Sequence, residues 1–258
     1  MTPERRASIP HGPVEAELAA MDMEGLFMTS LNSARVTETL DKLHIDADAA
    51  DRDFRAGMVA RFETSGETVK EAVGKLIAEE RVNYRATYRG HADHYLAISP
   101  AYGRFLYAIA RARKATRIVE FGTSMGISTI YLAAALRDNG GGRLIGSELE
   151  PAKVVRAQAN LDAAGLADLA EIRQGDALET LKDVGPEVDF LSIDGAFSLY
   201  LPILELIEPR LTPGAVILGE NAFAQDYLDY VRNPANGYFS RSLDIDEGRG
   251  NEFTVRVM

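Results

Sequence analysis

The chain has 258 residues, of which 39 are acidic and 28 basic, giving a net charge of −11, and 46% are hydrophobic. That balance excludes a binder of nucleic-acid phosphates, which needs clustered Lys and Arg, and the apolar content excludes disorder along the whole length. Zero Cys removes disulfides, thiolate-held metals, iron–sulfur clusters and a Cys nucleophile.

The N-terminal Met1-Thr2-Pro3-Glu4-Arg5-Arg6 leads into polar residues and Pro10, so no secretory signal is expected. No apolar window is long enough to span a bilayer, so no membrane partner is expected and the compartment read from these features is cytoplasmic. Gly falls 6 times in residues 1–97 and 16 times in 98–258, and no Pro lies between Pro13 and Pro100. Because Pro breaks and Gly weakens helix interiors, residues 1–97 read as a helical segment. Val14, Leu18, Met21, Phe27, Met28 and Leu31 recur at three- and four-residue steps, as do Val69, Val73, Leu76 and Ile77, which predicts amphipathic helices used for packing or a subunit contact. The acidic stretch 46–53 reads as a solvated turn or helix start.

From Tyr102 onward, apolar runs alternate with helical stretches. Strands are predicted over 117–121, 143–147, 170–173, 188–193 and 215–218, with helices over 128–137, 151–164, 177–182 and 201–211 between them. Such runs suit strands covered on both faces by crossover helices, hence an α/β, doubly wound, mostly parallel sheet. After a helix near 225–232, strands over 238–245 and 252–257 flank a short Gly-containing connection. A short connection joins only antiparallel neighbours, so the sheet closes with an antiparallel C-terminal strand. The expected division is therefore a helical lid or oligomerisation segment, 1–97, and a ligand-binding domain, 98–258.

Ligands of open α/β sheets sit beyond the carboxyl ends of the strands. The first strand ends in Glu120-Phe121-Gly122-Thr123-Ser124-Met125-Gly126-Ile127-Ser128, where Gly122 and Gly126 permit a sharp turn and close approach to a ligand, and Ser128 is placed to cap the next helix. This is neither a dinucleotide fingerprint nor a Walker loop. An acid before Gly-x-x-x-Gly suits a ligand with a positive centre and no phosphate, such as S-adenosylmethionine with its sulfonium, ammonium and ribose diol. Glu148, at the second strand end, is placed to accept both ribose hydroxyls; the competing reading is a solvated loop acid. Asp176, after the third strand, either meets an adenine amino group or simply caps a helix.

With Asp194 after the fourth strand, Tyr200-Leu201-Pro202 beyond it and Glu220-Asn221 after the fifth, the series from about Ile98 to the C-terminus resembles the class I S-adenosylmethionine-dependent methyltransferases, specifically the catechol and caffeoyl-CoA O-methyltransferases and their bacterial relatives. The resemblance implies a seven-stranded sheet and S-adenosylmethionine as cofactor. It implies that Glu120, Gly122, Ser124, Gly126 and Ser128 line the methionine and ribose side, with Glu148 on the ribose, Asp176 at the adenine and Asp194 also at the cofactor. It further implies a metal set of Asp194, Glu220 and Asn221, hard oxygen donors suited to Mg²⁺. The implied reaction is O-methylation of a small hydroxylated, aromatic acceptor, with Asp194 catalytic and the chain a homodimer.

Two departures stand out. Glu220 replaces the family's Asp, displacing the carboxylate by a methylene, and Phe197 stands where many relatives carry Lys, so the usual base is missing. His91 and His94, in Gly90-His91-Ala92-Asp93-His94-Tyr95, are candidate substitute bases, sharing a face if helical; the alternative is a structural role. His11 and His44 carry no signal. A metal-independent N- or C-methyltransferase, or a non-catalytic scaffold with this fold, is the rival reading.

Overall fold

Seven strands form one sheet in the order β3-β2-β1-β4-β5-β7-β6 in a computed structural model that describes residues 29–246 and 249–258. The strands are β1 (Arg117–Phe121), β2 (Arg143–Glu148), β3 (Ala170–Gln174), β4 (Val188–Ile193), β5 (Leu211–Gly219), β6 (Tyr238–Leu243) and β7 (Asn251–Arg256). Pairings among the first five are parallel, while β7 runs antiparallel to both β5 and β6. The chain winds outward through β1, β2 and β3, then returns to place β4 against β1. The reversal opens a crevice between the tips of β1 and β4.

The helices are α1 (Ala34–Ala50), α2 (Arg52–Ser65), α3 (Val69–Arg89), α4 (Pro100–Arg113), α5 (Ile127–Asp138), α6 (Pro151–Ala164), α7 (Ala177–Thr180), α8 (Tyr200–Ile207) and α9 (Gln225–Arg232). Alternation along the strands sends neighbouring residues to opposite faces. Ile118, Leu144, Phe190 and Val216 pack with Leu106, Ile130, Leu136 and Leu161 on one side, whereas Val119, Ile145, Leu191 and Ile217 pack with Ile203, Leu204, Tyr227 and Val231 on the other. Val36, Leu40, Leu43 and Ala47 of α1 join the first of these clusters. The N-terminal helices therefore share the core of the sheet.

Several predicted boundaries shift by one or two residues, and two move further. The helix expected to reach residue 211 stops at Ile207, because Pro209 lacks an amide donor and the chain tightens into a 3-10 turn, Glu208–Arg210. Strand β5 starts earlier than expected, at Leu211, and absorbs Pro213-Gly214 as a register shift against β4. The predicted N-terminal helix lies mostly outside the described residues, as does His11. Among the described residues no helix is long and apolar enough to cross a membrane.

Candidate active site

The turn after β1 exists because a buried carboxylate organises it. Glu120 is fully buried and accepts from the hydroxyls of Thr123 (2.9 Å), Ser128 (2.7 Å) and Thr129 (2.6 Å). Burial pushes its carboxyl up, and the three hydroxyls draw it back only in part. Glu120 therefore ties the loop to the first turn of α5 instead of lining the cleft as expected. Ser128 is not the helix cap either: Gly126, in the left-handed region, holds that position, and the Ser128 hydroxyl is committed to Glu120. Glu120→Ala, which would strand three buried hydroxyls, is expected to lower stability by about 3 kcal/mol, against about 1 kcal/mol for Glu120→Gln. Urea unfolding measures both, and an Ala variant within about 0.5 kcal/mol of the parent would remove Glu120's organising role.

Gly122 carries φ +92°, and a Cβ there would lie 1.7 Å from the Asp194 carbonyl oxygen. The tips of β1 and β4 approach so closely that only Gly fits. Next to it Ser124, at φ 48°, turns its amide onto Glu148 Oε2 (2.7 Å) and its hydroxyl onto the Tyr95 carbonyl (2.7 Å). Glu148 Oε1 accepts from the Glu150 amide at 2.8 Å. The Glu148 carboxylate is thus fixed by two backbone donors while each oxygen keeps a lone pair for a ligand hydroxyl. Positive φ at Leu96, Ser124 and Asn221 concentrates backbone strain around this crevice.

The cleft between these strands is lined by 95–98, 122–125, Ile127, Ser128 and Asp194. The stretch 95–98 lies across it, anchored by Asp51, whose carboxylate accepts from the amides of Tyr95 (3.0 Å) and Leu96 (2.8 Å). Asp51 was read only as part of a solvated acidic turn, yet it is 2% exposed. His94 Nδ1 lies 3.1 Å from the same carboxylate. His91 and His94 sit in a turn, not a helix, with rings 5.8 Å apart and packed against Phe54. Neither lines the cleft, because the turn faces α2, so the geometry does not support either as the base.

Lys153 escaped notice in the sequence. It is 4% exposed, its Nζ 3.3 Å from Ser124 Oγ. Burial lowers its ammonium pKa, and the nearby Glu148, Asp51, Glu150 and Asp194 oppose this. A Lys in the first turn of α6 opposes the helix dipole, which is the signal that sets it apart. Asp176 takes the plainer of its two readings: Oδ1 accepts from the Leu178 amide (3.0 Å) as cap of α7, and Oδ2 accepts from Tyr84 (2.6 Å) and Arg85. Burial works against its ionisation, but these donors prevail and hold its carboxyl below the usual value.

Asp194, Glu220 and Asn221 do come together. The Asp194 amide donates to Phe121 O and the Glu220 amide to Ile193 O, both at 2.9 Å, fixing the acids at adjacent strand ends. The two buried carboxyls interact strongly. Burial and then the Glu220 charge push the Asp194 carboxyl well up, and burial raises Glu220 against the pull of Arg249. Arg249 Nη1 donates to Glu220 Oε1 at 2.7 Å, and Asn221 Nδ2 donates to Glu220 Oε2. Both Glu220 oxygens are occupied by donors and the Asn221 amide presents its nitrogen, so the implied metal set does not fit a divalent cation. Among the described residues no three His, Cys, Asp or Glu side chains converge to hold a metal ion.

Beside the pair stands an aromatic wall. Phe197 meets Tyr200 and Phe223 edge-on at 5.8 and 6.1 Å. Helix α3 closes over this side: Glu80 accepts from the Ser198 amide at 2.8 Å, and the Tyr88 hydroxyl donates to Gly195 O at 3.1 Å. A break at Asn83 lets α3 bend.

Residues 119–222 match the family described as "Methyltransferase domain". Curated catechol O-methyltransferases of Niastella koreensis and Mycobacterium tuberculosis are each 35% identical, over 49% of this chain and 58% and 57% of their own lengths. The chain thus spans less than two thirds of these relatives. Among solved structures, the O-methyltransferase from Bacillus cereus in complex with SAH aligns over 78% of this chain and 97% of its own, at TM-score 0.57 and 22% identity. TomG from Streptomyces achromogenes, an O-methyltransferase involved in tomaymycin synthesis and solved with SAM, aligns over 62% and 82%, at TM-score 0.58 and 24% identity. These structures speak to the fold. Strand order and these structural alignments agree that the chain has the class I methyltransferase fold, and over about half its length it is similar to curated catechol O-methyltransferases.

Proposed function

We propose that the protein is an S-adenosylmethionine-dependent O-methyltransferase acting on a small hydroxylated, aromatic acceptor. The observation that carries this reading is Glu148, held at the tip of β2 by the amides of Ser124 and Glu150, next to a cleft lined by Gly122 and Ser124. A nucleoside diol needs such a fixed carboxylate and a backbone it can approach closely. Gly122, Ser124, Gly126 and Asp194 would surround the methionine moiety, with Glu120 and Ser128 shaping the loop. The cofactor supplies an electrophilic methyl on a sulfonium. The protein's part is to hold an oxygen in line with that methyl and exclude water, a positioning effect worth up to roughly 7–11 kcal/mol.

The half-buried Phe197 and Phe223, with Phe197 backed by the core residue Tyr200, give the acceptor side an aromatic surface suited to contacts with a ring. Stretch 95–98 lies across the cleft, and the reading takes the helical segment 1–97 as lid and 98–258 as the cofactor-binding domain. The reading includes a cytoplasmic homodimer. Exposed Ile45, Met58, Val59 and Val82 on the N-terminal helices are where a second copy would pack, and sedimentation tests that.

Calorimetry with S-adenosylhomocysteine tests the main claim. A one-to-one complex in the micromolar range is expected, weakened about 100-fold in Glu148→Ala, which corresponds to about 2.7 kcal/mol. No heat at about 100 μM ligand from folded protein would defeat the reading.

A further inference from the structure

The acid pair already has a cation, supplied by the chain itself. Arg249 lies on the connection between β6 and β7, and its side chain keeps 37% exposure while that of Glu220 keeps 4%. The guanidinium thus reaches from the protein surface to a buried carboxylate. Asn221 adds a second donor to Glu220, and Phe197 brings no charge. A divalent ion placed among these groups would face a fixed positive charge bonded to one of its own ligands, and like charges that close repel strongly in a water-poor site.

Building on the methyl-transfer reading, we infer that Arg249 stands in place of the divalent cation, so that the site works without metal on an acceptor whose reacting oxygen is already acidic: a phenol or a carboxylic acid, bound as its anion. The chemistry of the guanidinium sets this class. It keeps its proton at any ordinary pH, so Arg249 is no base. It carries five N–H donors in a planar fork and spends one on Glu220, which leaves a face for an oxyanion. A delocalised single charge lowers the pKa of a neighbouring hydroxyl less than a metal bonded to that oxygen does, so an aliphatic alcohol would remain protonated.

The acceptor arrives having released its proton to solvent. Its oxygen lone pair forms the C–O bond as the C–S bond breaks, the electron pair passing to sulfur. A sulfonium and an oxyanion become a thioether and an ether or ester.

Titrating the full chain with Mn²⁺ alone, followed by loss of the free-ion electron paramagnetic resonance signal, tests the substitution of arginine for metal. The parent should show no one-to-one site up to about 1 mM, and Arg249→Ala should gain one at least about tenfold tighter. Adding Glu220→Gln should abolish it. Arg249→Gln repeats the comparison should the Ala variant unfold by circular dichroism. One Mn²⁺ bound by the parent and lost in Glu220→Gln overturns the proposal, as does a folded Arg249 variant that gains no site. Turnover of phenols or carboxylic acids should be unchanged by EDTA, and equal turnover of aliphatic alcohols overturns the acceptor class. Calorimetry with S-adenosylhomocysteine alongside separates the two claims: its failure defeats methyl transfer and leaves the Mn²⁺ contrast readable.

Discussion

Gly122→Ala is expected to lower stability by roughly 4 kcal/mol and to abolish binding of S-adenosylhomocysteine. The added Cβ would sit 1.7 Å from the Asp194 carbonyl oxygen at a φ of +92°, so the substitution combines a backbone clash with an unfavourable conformation. The clash falls between β1 and β4, whose tips are joined by the bond from the Asp194 amide to Phe121 O. Neither strand is free to retreat, because β1 is also paired to β2 and β4 to β5. Gly140→Ala is the control: it also has positive φ, but nothing lies within 4 Å of its Cβ. A Gly122→Ala protein whose melting curve and ligand affinity match those of Gly140→Ala would show that the crossing is not as tight as described.

The second large effect separates stability from activity. Asp194→Asn is expected to reduce turnover by about 10²- to 10³-fold while raising stability at neutral pH by about 1 kcal/mol, or roughly 3 °C in Tm. Burial and the Glu220 charge raise the folded-state pKa of Asp194 above its unfolded value. The folded chain therefore binds the proton more tightly than the unfolded chain does. The penalty of ionising Asp194 is absent below the unfolded pKa, near 4, and grows as pH rises towards the folded value. Asn carries no such penalty, so the stability advantage of the variant should widen with rising pH and then level off. Thermal melts across pH 4 to 8 check the sign; an advantage that shrinks with rising pH would mean that Asp194 is stabilised as an anion.

The strands were legible because each is a short apolar run with turn residues behind it. The predicted spans 117–121 and 188–193 coincide with β1 and β4, and 151–164 with α6. Glu148, Asp194 and Glu220 were legible because a sheet of this class presents chemistry where its parallel strands end. What each acid touches was not. Glu120 and Glu148 read alike as acids at strand ends, yet one is enclosed by three hydroxyls and the other is held by two backbone amides. Asp51 reads as a surface charge, and Lys153 carries no motif, yet both are buried beside the site.

Local sequence therefore determined the element order, the parallel sheet with its antiparallel close, and the loop positions at which a ligand sits, because period, turn residues and connection length act over a few neighbours. Only the tertiary structure decided which acid meets which donor. Arg249 and Glu220 are separated by 29 positions and Asp194 lies further back; their meeting depends on β7 turning back beside β5. Hydrogen-bond partners and burial are set by such long-range pairings, and these fix the charge, reach and protonation of each group.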